Sequence, residues 1–327
     1  MTSPDNTDVP AATGRQVTLA FAGALFASVI FGGNFVAGRQ AALAGLSPGD
    51  LVALRYGVSG LIFLPFLLRF GLHNLGGAGW TRGLLIAAMI GGPYFYTVMT
   101  GLHYTPASHG VVLNPGATPI ASLVFGYLLL RLRPPRMVYV AVPLMLAGLT
   151  LVAGAGFAAE GPGAWRGDVL LLGTGLAYGL FMVLMRRWGI PALQATSIVA
   201  VLSGAGWLPV YLLRGDYSRL IHAGWPEVLG QALFQGLLVS GLAVFLYARA
   251  VVILGPGRAG LFPALVPVFG TVLATLVLGE PLSGEQLGGV FAVCTGLLLG
   301  VWQPRGRLWR RRQPAPPNGS SQNGTSP

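Results

Sequence analysis

GLHYTPASHGVVLNPGATPIASLVFGYLLLRLRPPRMVYVAVPLMLAGLTLVAGAG, residues 101–156, reads as loop, apolar run, arginine-rich turn and second apolar run. A helix needs about 20 mostly apolar residues to cross about 30 Å of hydrocarbon, and both runs meet that length. The turn between them holds Arg131, Arg133 and Arg136. Pro115 and Pro119 stand inside the first run, where each removes a backbone donor from an otherwise unbroken helix. The layout returns downstream. Moving Pro115 and Pro119 forward by 148 positions lands on Pro263 and Pro267, and the same offset takes Gly148 to Gly296. Pro106 and Gly110 match Pro256 and Gly260 with a two-residue slip.

Composition states what solvent this unit sits in. The chain is 54% hydrophobic and only 9% charged, against about 25% charged in a soluble domain. That is too little charge to cover a water-facing surface, so the solvent is mostly lipid. Its many glycines let helices approach closely, and its prolines are tolerated where neighbours satisfy the freed carbonyls. The lone Cys294 excludes an internal disulfide. Four histidines and nine acids are too few and too scattered for a metal cluster, and no cofactor is expected. The net charge of +11 is all arginine. These residues gather in short turns and at the ends of apolar runs, so topology explains them and a nucleic-acid partner is not expected. Residues 1–14 hold Asp5 and Asp8 but no basic group, unlike a signal-peptide start, and the apolar run that follows reads as a retained first helix.

The expected fold is an all-α integral membrane protein of ten transmembrane helices, arranged as two inverted five-helix repeats. The spans are 17–38, 51–68, 83–101, 107–130, 137–156, 168–185, 195–213, 228–248, 259–279 and 286–302. An even count puts both termini on one side. Fifteen of the 20 arginines then fall on that side, while Arg39, Arg166, Arg214 and Arg219 face the other and Arg55 lies at the membrane edge. The positive-inside rule makes the termini cytoplasmic, in the plasma (cell inner) membrane. The expected division is a cytoplasmic tail 1–16, a first repeat 17–156, an external linker 157–167, a second repeat 168–302 and a disordered tail 303–327. Inverted repeats exchange conformations about a midplane site, which is a transport architecture. The bland alternative is an old duplication that supports only a receptor or scaffold.

Several runs also carry a family resemblance. They are Phe31-Gly32-Gly33-Asn34-Phe35, Pro48-x6-Arg55-Tyr56, Gly101-Leu-His-Tyr-Thr105-Pro-Ala107, Pro119, and Leu278-Gly-Glu280-Pro281-Leu-Ser-Gly-Glu285-Gln286 with Gly288 or Gly289 after it. The chain resembles a ten-helix member of the drug/metabolite transporter superfamily built from two EamA domains, over about residues 17–302. In the first half, the position matching Glu280 is Leu132, so the two turns are not ionically equivalent. The resemblance implies a secondary transporter, an exporter of an amino acid or related small polar metabolite, driven by a proton or other ion or by facilitated diffusion. A lipid or drug translocator of the same fold is the alternative. No catalysis is expected, and the partners are a small-molecule solute, a coupling ion and membrane lipid, with the protein a monomer or homodimer.

The candidate solute residues are the polar groups within spans, because such groups face the interior or a cavity. Asn34 reads as a solute contact or as glue between helices. Arg55 reads as a partner for an anionic solute or as a cation snorkelling to headgroups. Tyr94, beside Pro93, lies deeper than His103 and Tyr104, which read as interfacial belt. Asn114 sits in the fourth span, and Gln231 and Gln235, four apart, share one helical face. His109 reads as solvated near the interface. Gly32, Gly33, Pro115, Pro119, Pro263 and Pro267 are the hinge or gate candidates, with static kinks as the alternative. Glu280 and Glu285 are expected to hold the turn they occupy.

Overall fold

The computed structural model describes residues 14–131, 136–159, 163–215, 217–254 and 262–301. Arg133, Pro256, Arg258, Gly260 and the basic tail from Arg305 lie outside the described residues. Those described are helical throughout, with no strand. In chain order the helices are α1 Gly14–Leu43, α2 Pro48–Phe70, α3 Trp80–Ile90, α4 Gly92–Tyr104, α5 Ala107–Leu130, α6 Val138–Ala159, α7 Ala164–Trp188, α8 Ala192–Arg214 and the short α9 Ser218–Ala223. Then follow α10 Trp225–Leu254, α11 Val266–Leu278 behind a 3₁₀ turn Phe262–Leu265, and α12 Gly284–Val301.

Among the described residues, seven helices are long and apolar enough to cross a membrane, one of them Trp80–Tyr104 formed by α3 and α4 together. The apolar helices Val138–Val152, Phe262–Leu278 and Gly284–Leu299 are shorter. Polarity runs inside out, as lipid solvation requires. Leu61, Val252, Leu276 and Phe291 project outward and are largely exposed, whereas Asp50, His109, Asp168 and Gln235 are buried.

Packing between the halves is reciprocal. α1 lies against α10 and α11, while α7 lies against α4 and α5; α2 pairs with α8, and α6 with α12. This is the pattern a two-repeat bundle makes when the first helix of each half packs on the third and fourth of the other. Small residues let the backbones close. A Cβ on Gly32 would stand 2.6 Å from the Gly270 nitrogen, joining α1 to α11, and one on Gly148 would stand 2.7 Å from the Gly289 carbonyl, joining α6 to α12. Ser28 Oγ donates to the Phe262 carbonyl at 3.0 Å across the same α1–α11 contact.

α1, α2, α3 with α4, α7, α8 and α10 exceed the expected spans, whereas α5 matches its own. α1 runs past Arg39, which is therefore a helical residue: its Nη1 donates to the Leu102 carbonyl at 2.8 Å and the His103 carbonyl at 3.2 Å. Residues 14–16, read from the sequence as tail, already belong to α1. α2 starts at Pro48 behind a capping box in which Ser47 Oγ accepts from Asp50 N at 3.2 Å and Asp50 Oδ2 accepts from Ser47 N at 2.7 Å. The buried Asp50 also accepts from the Tyr211 hydroxyl of α8. Asp50→Ala removes the cap and a helix-to-helix bond together, about 1–3 kcal/mol. Its thermal midpoint in detergent is expected to fall by about 5 °C.

The two proline pairs differ. Pro115 and Pro119 sit inside a continuous α5. Pro263 lies in the 3₁₀ turn and Pro267 in the first turn of α11, where a missing N–H costs nothing.

Candidate functional site

Span Trp80–Tyr104 breaks at Gly91, the first residue of Gly91-Gly92-Pro93. A Cβ at Gly91 would collide with Ser203 Oγ and the Ala87 carbonyl, so only glycine lets α8 approach the break. The groups freed there are satisfied from other helices: Ser203 Oγ accepts from Gly92 N at 3.0 Å, and the Tyr56 hydroxyl donates to the Ile90 carbonyl at 3.3 Å. Non-helical backbone at membrane depth is tolerated where it is buried or lines a cavity. The new N-terminus, with its partial positive charge, belongs to α4, and Tyr94 and Phe95 stand in its first turns.

Arg55 lies beside that break. Its Nη1 donates to Asn34 Oδ1 of α1 at 3.1 Å and to Gln235 Oε1 of α10 at 3.2 Å. The guanidinium carbon sits 4.3 Å from the centre of the Phe95 ring, close enough for cation–π attraction. Because α2 starts at Pro48, Arg55 is two turns inside the helix. Its guanidinium is held in a three-helix clasp by Asn34 and Gln235. Among the described residues, Arg55 Nε and Gln235 Nε2 are buried donors without a hydrogen-bond partner. Gln235 belongs to a π-helical stretch, Ala232–Ala243; such wide turns occur often at functional sites.

A second polar group adjoins the first through aromatic rings. Asn114 Nδ2 donates to Thr174 Oγ1 at 2.8 Å and to the Tyr94 hydroxyl oxygen at 3.1 Å. The Tyr94 ring lies 6.0 Å from that of Tyr178, which in turn lies 5.6 Å from Phe181. At 1.5 Å per residue, Asn34, Arg55, Tyr94, Asn114, Thr174 and Gln235 all lie about 10–15 Å below the end of the bundle that carries the α1–α2 turn. A cleft of 320 Å³ opens from Tyr94 and Thr174 between α3, α4 and α7, past Pro93, Val169 and Gly173.

Five of the six expected solute residues thus share one level: Asn34, Arg55 and Gln235 in the clasp, Tyr94 and Asn114 beside it. Gln231 is not brought into it. Its amide nitrogen donates to the Ala37 carbonyl at 2.9 Å and to Glu227 Oε1 at 3.0 Å, tying α10 to α1. The glycines flank the clasp, Gly32 against Gly270 and Gly33 against Phe234 and Leu273. Thr174, Tyr178 and Phe95 do not stand out in the sequence as solute residues. For Tyr178 the available signal is its two neighbouring glycines, Gly175 and Gly179; for Thr174 there is none.

Near that end of the bundle lies a further cluster. His109, expected to be solvated, is fully buried: its Nδ1 is 2.8 Å from Asp168 Oδ1 and its Nε2 is 3.2 Å from Gln286 Nε2. The helices that close over it exclude the water its sequence position suggested. Glu280 holds its turn by accepting from Ala107 N at 3.1 Å and Ser108 N at 3.3 Å, first-turn donors of α5 that have no intrahelical acceptor, and Arg39 Nε stands 3.9 Å away.

The sequence pattern of the EamA-like transporter family matches residues 18–154 and again 165–302. YetK of Bacillus subtilis, named an uncharacterized transporter, is 25% identical over 88% of this chain and 87% of its own length. PA1977 of Pseudomonas aeruginosa is 30% identical over 86% of this chain and 93% of its own. A WAT1-related protein of Arabidopsis thaliana, At3g18200, is 30% identical over 42% of this chain and 36% of its own. One protein of known crystal structure aligns with a TM-score of 0.54, covering 88% of this chain and 96% of that one at 18% identity, a likeness of fold. A family pattern met twice, in the two halves whose helices pack reciprocally, leaves one assignment: this chain belongs to the EamA-like transporter family, as a multi-pass membrane transporter of a small-molecule solute.

Proposed function

We propose that the protein is a secondary transporter exporting a small carboxylate-bearing metabolite, an amino acid or related polar solute, by alternating access around Arg55. The observation that carries this reading is the clasp itself. Asn34 and Gln235 orient the guanidinium through their carbonyl oxygens, which leaves Arg55 Nε and Gln235 Nε2 as unspent donors. A carboxylate matches two such donors, and the α4 N-terminus beside them favours the same charge. Ten spans with both termini cytoplasmic, in the inner membrane, place the α1–α2 end outside. The seals at that end, made by Arg39, Glu280 and His109, then hold the outer gate closed. The five-helix repeats are residues 17–156 and 168–302, and Gly32, Gly33 and the four prolines flank the moving contacts.

Uptake and efflux by reconstituted vesicles, screened over amino acids, sugars, nucleosides and cationic drugs with and without a pH step, test this. Flux of carboxylate-bearing solutes alone is expected; flux confined to sugars or cationic drugs overturns it. Tyr94→Phe removes a hydroxyl from the Asn114 group. It is expected to raise the half-saturating solute concentration about 5-fold, as loss of about 1 kcal/mol does, with the melting temperature unchanged.

The lateral cleft favours a second reading, translocation of an amphipathic drug or lipid. Its apolar walls open towards the surrounding lipid, with Val169 and Gly173 exposed. Gly173 has nothing within 4 Å of a built Cβ, so Gly173→Trp starts its side chain in open space and is expected to obstruct the cleft. Carboxylate flux is expected to survive this change; loss of movement of a fluorescent lipid in the same vesicles supports the second reading.

A further inference from the structure

We infer that His109, Asp168 and Gln286 form a proton-binding site whose occupancy unlocks the outer gate. The inference rests on the transport reading above but not on the Arg55 solute site. It starts from hydrogen-bond chemistry. An amide nitrogen can only donate, so Gln286 Nε2, 3.2 Å from His109 Nε2, makes that ring nitrogen an acceptor. The imidazole is therefore neutral, its proton on Nδ1 and donated to Asp168 Oδ1 at 2.8 Å. Asp168 Oδ2 is buried and without a partner among the described residues. A further proton on the ring has to go to His109 Nε2, the nitrogen that accepts from Gln286.

That proton does not fit the present arrangement. An N–H on Nε2 would face the N–H of Gln286, and relief needs the amide to turn over. The Gln286 amide is not free to turn, because its Oε1 accepts from Ser283 N at 3.0 Å while Ser283 Oγ accepts from Gln286 N at 3.1 Å. This capping box starts α12. Turning the amide presents nitrogen to Ser283 N and breaks it. Three residues before Ser283 stands Glu280, which ties the same turn to the α5 N-terminus. One proton thus trades a hydrogen bond inside the cluster for the bonds that hold the α11–α12 turn shut.

The site joins the halves: His109 comes from the first repeat, Asp168 and Gln286 from the second. It also lies directly above the Asn114–Thr174 contact on the same two helices. His109 precedes Asn114 by five residues and Asp168 precedes Thr174 by six, about 7–9 Å along the helices. The charged or titratable groups surrounding it at this end are Asp168 and Arg166 of α7, Glu280 and Arg39 at the turn, His103 of α4 and Glu285 of α12. His103 is engaged with the Met99 and Leu46 carbonyls. Arg166 stands over Trp165, its guanidinium carbon 5.9 Å from the ring centre. Glu285 lies in the first turn of α12.

Hydrogen exchange of the full-length protein in lipid nanodiscs, without solute, followed from about pH 8 to about pH 5, tests the inference. After correction for the intrinsic pH dependence of exchange, the amides of Ala107, Ser108, Ser283 and Gln286 are expected to open about 10-fold more as one proton binds. Nitrogen-15 spectra of the histidines are expected to show His109 passing from the Nδ1–H tautomer to the doubly protonated ring over the same range. His109→Gln removes the transition. Gln286→Glu preserves the capping box and gives the doubly protonated ring an acceptor, so the fold is kept and the same amides stay closed across the range. Flat corrected exchange in the wild type, a His109 ring in one state throughout, or opening of the same amides in Gln286→Glu overturns the proton site and leaves the Arg55 reading untouched. Arg55→Ala retains the transition, so failure of the solute reading is seen separately, in flux.

Discussion

Arg55→Ala is expected to lower solute flux about 100-fold in reconstituted vesicles while the amount of inserted protein stays at the wild-type level. Truncating one partner of a buried, hydrogen-bonded charge pair costs about 2–5 kcal/mol, and about 2.7 kcal/mol is two decades. The loss falls on the solute because Arg55 supplies both a charge and an unspent donor. Asn34 and Gln235 lose a common partner, so a fall of a few degrees in the melting temperature accompanies it. Arg55→Lys separates charge from shape. It keeps the cation but not the planar fork that reaches Asn34, Gln235 and a carboxylate together, and is expected to restore no more than about a tenth of the flux. Full flux in Arg55→Ala would remove the solute from this site.

Gly204→Val is expected to have the largest effect on the folded state. A Cβ there would lie 2.6 Å from the Tyr56 carbonyl oxygen on α2. The obstacle is backbone, so no rotamer change relieves it, and α8 must move off the helix that carries Arg55. Overpacking of this kind costs about 1–3 kcal/mol, with a fall of about 5 °C or more in the melting temperature and loss of flux. Gly206, two residues on in the same helix, has nothing within 4 Å of a built Cβ. Gly206→Val is expected to melt within about 2 °C of wild type. Equal behaviour of the two variants would contradict the α2–α8 contact.

Much of the scaffold is legible in the sequence. Long apolar runs and a charge content far below that of soluble domains leave lipid as the solvent, and the proline echo at an offset of 148 marks the two halves. Asn34, Arg55, Tyr94, Asn114 and Gln235 stand out for one reason: a polar side chain inside an apolar span must face a partner. That argument names residues without saying which of them meet. It gives Gln231 the same standing as Gln235, although only one of the two reaches Arg55, and it takes His109 for a solvated residue.

Residues 101–156 show where the boundary falls. Composition and periodicity depend on each residue's own transfer energy, so the sequence by itself determined that these are membrane-dwelling helices, repeated once and joined by an arginine-rich turn. Partnerships depend on which helices approach, and at what height. Asn114 meets Thr174, and His109 meets Asp168, because glycines such as Gly167 and Gly175 let the α7 backbone close on α4 and α5. Those contacts are about 60 residues apart in the chain. Only the tertiary structure decided them, because a polar group buried in lipid is stabilised by the distant partner that packing brings to it.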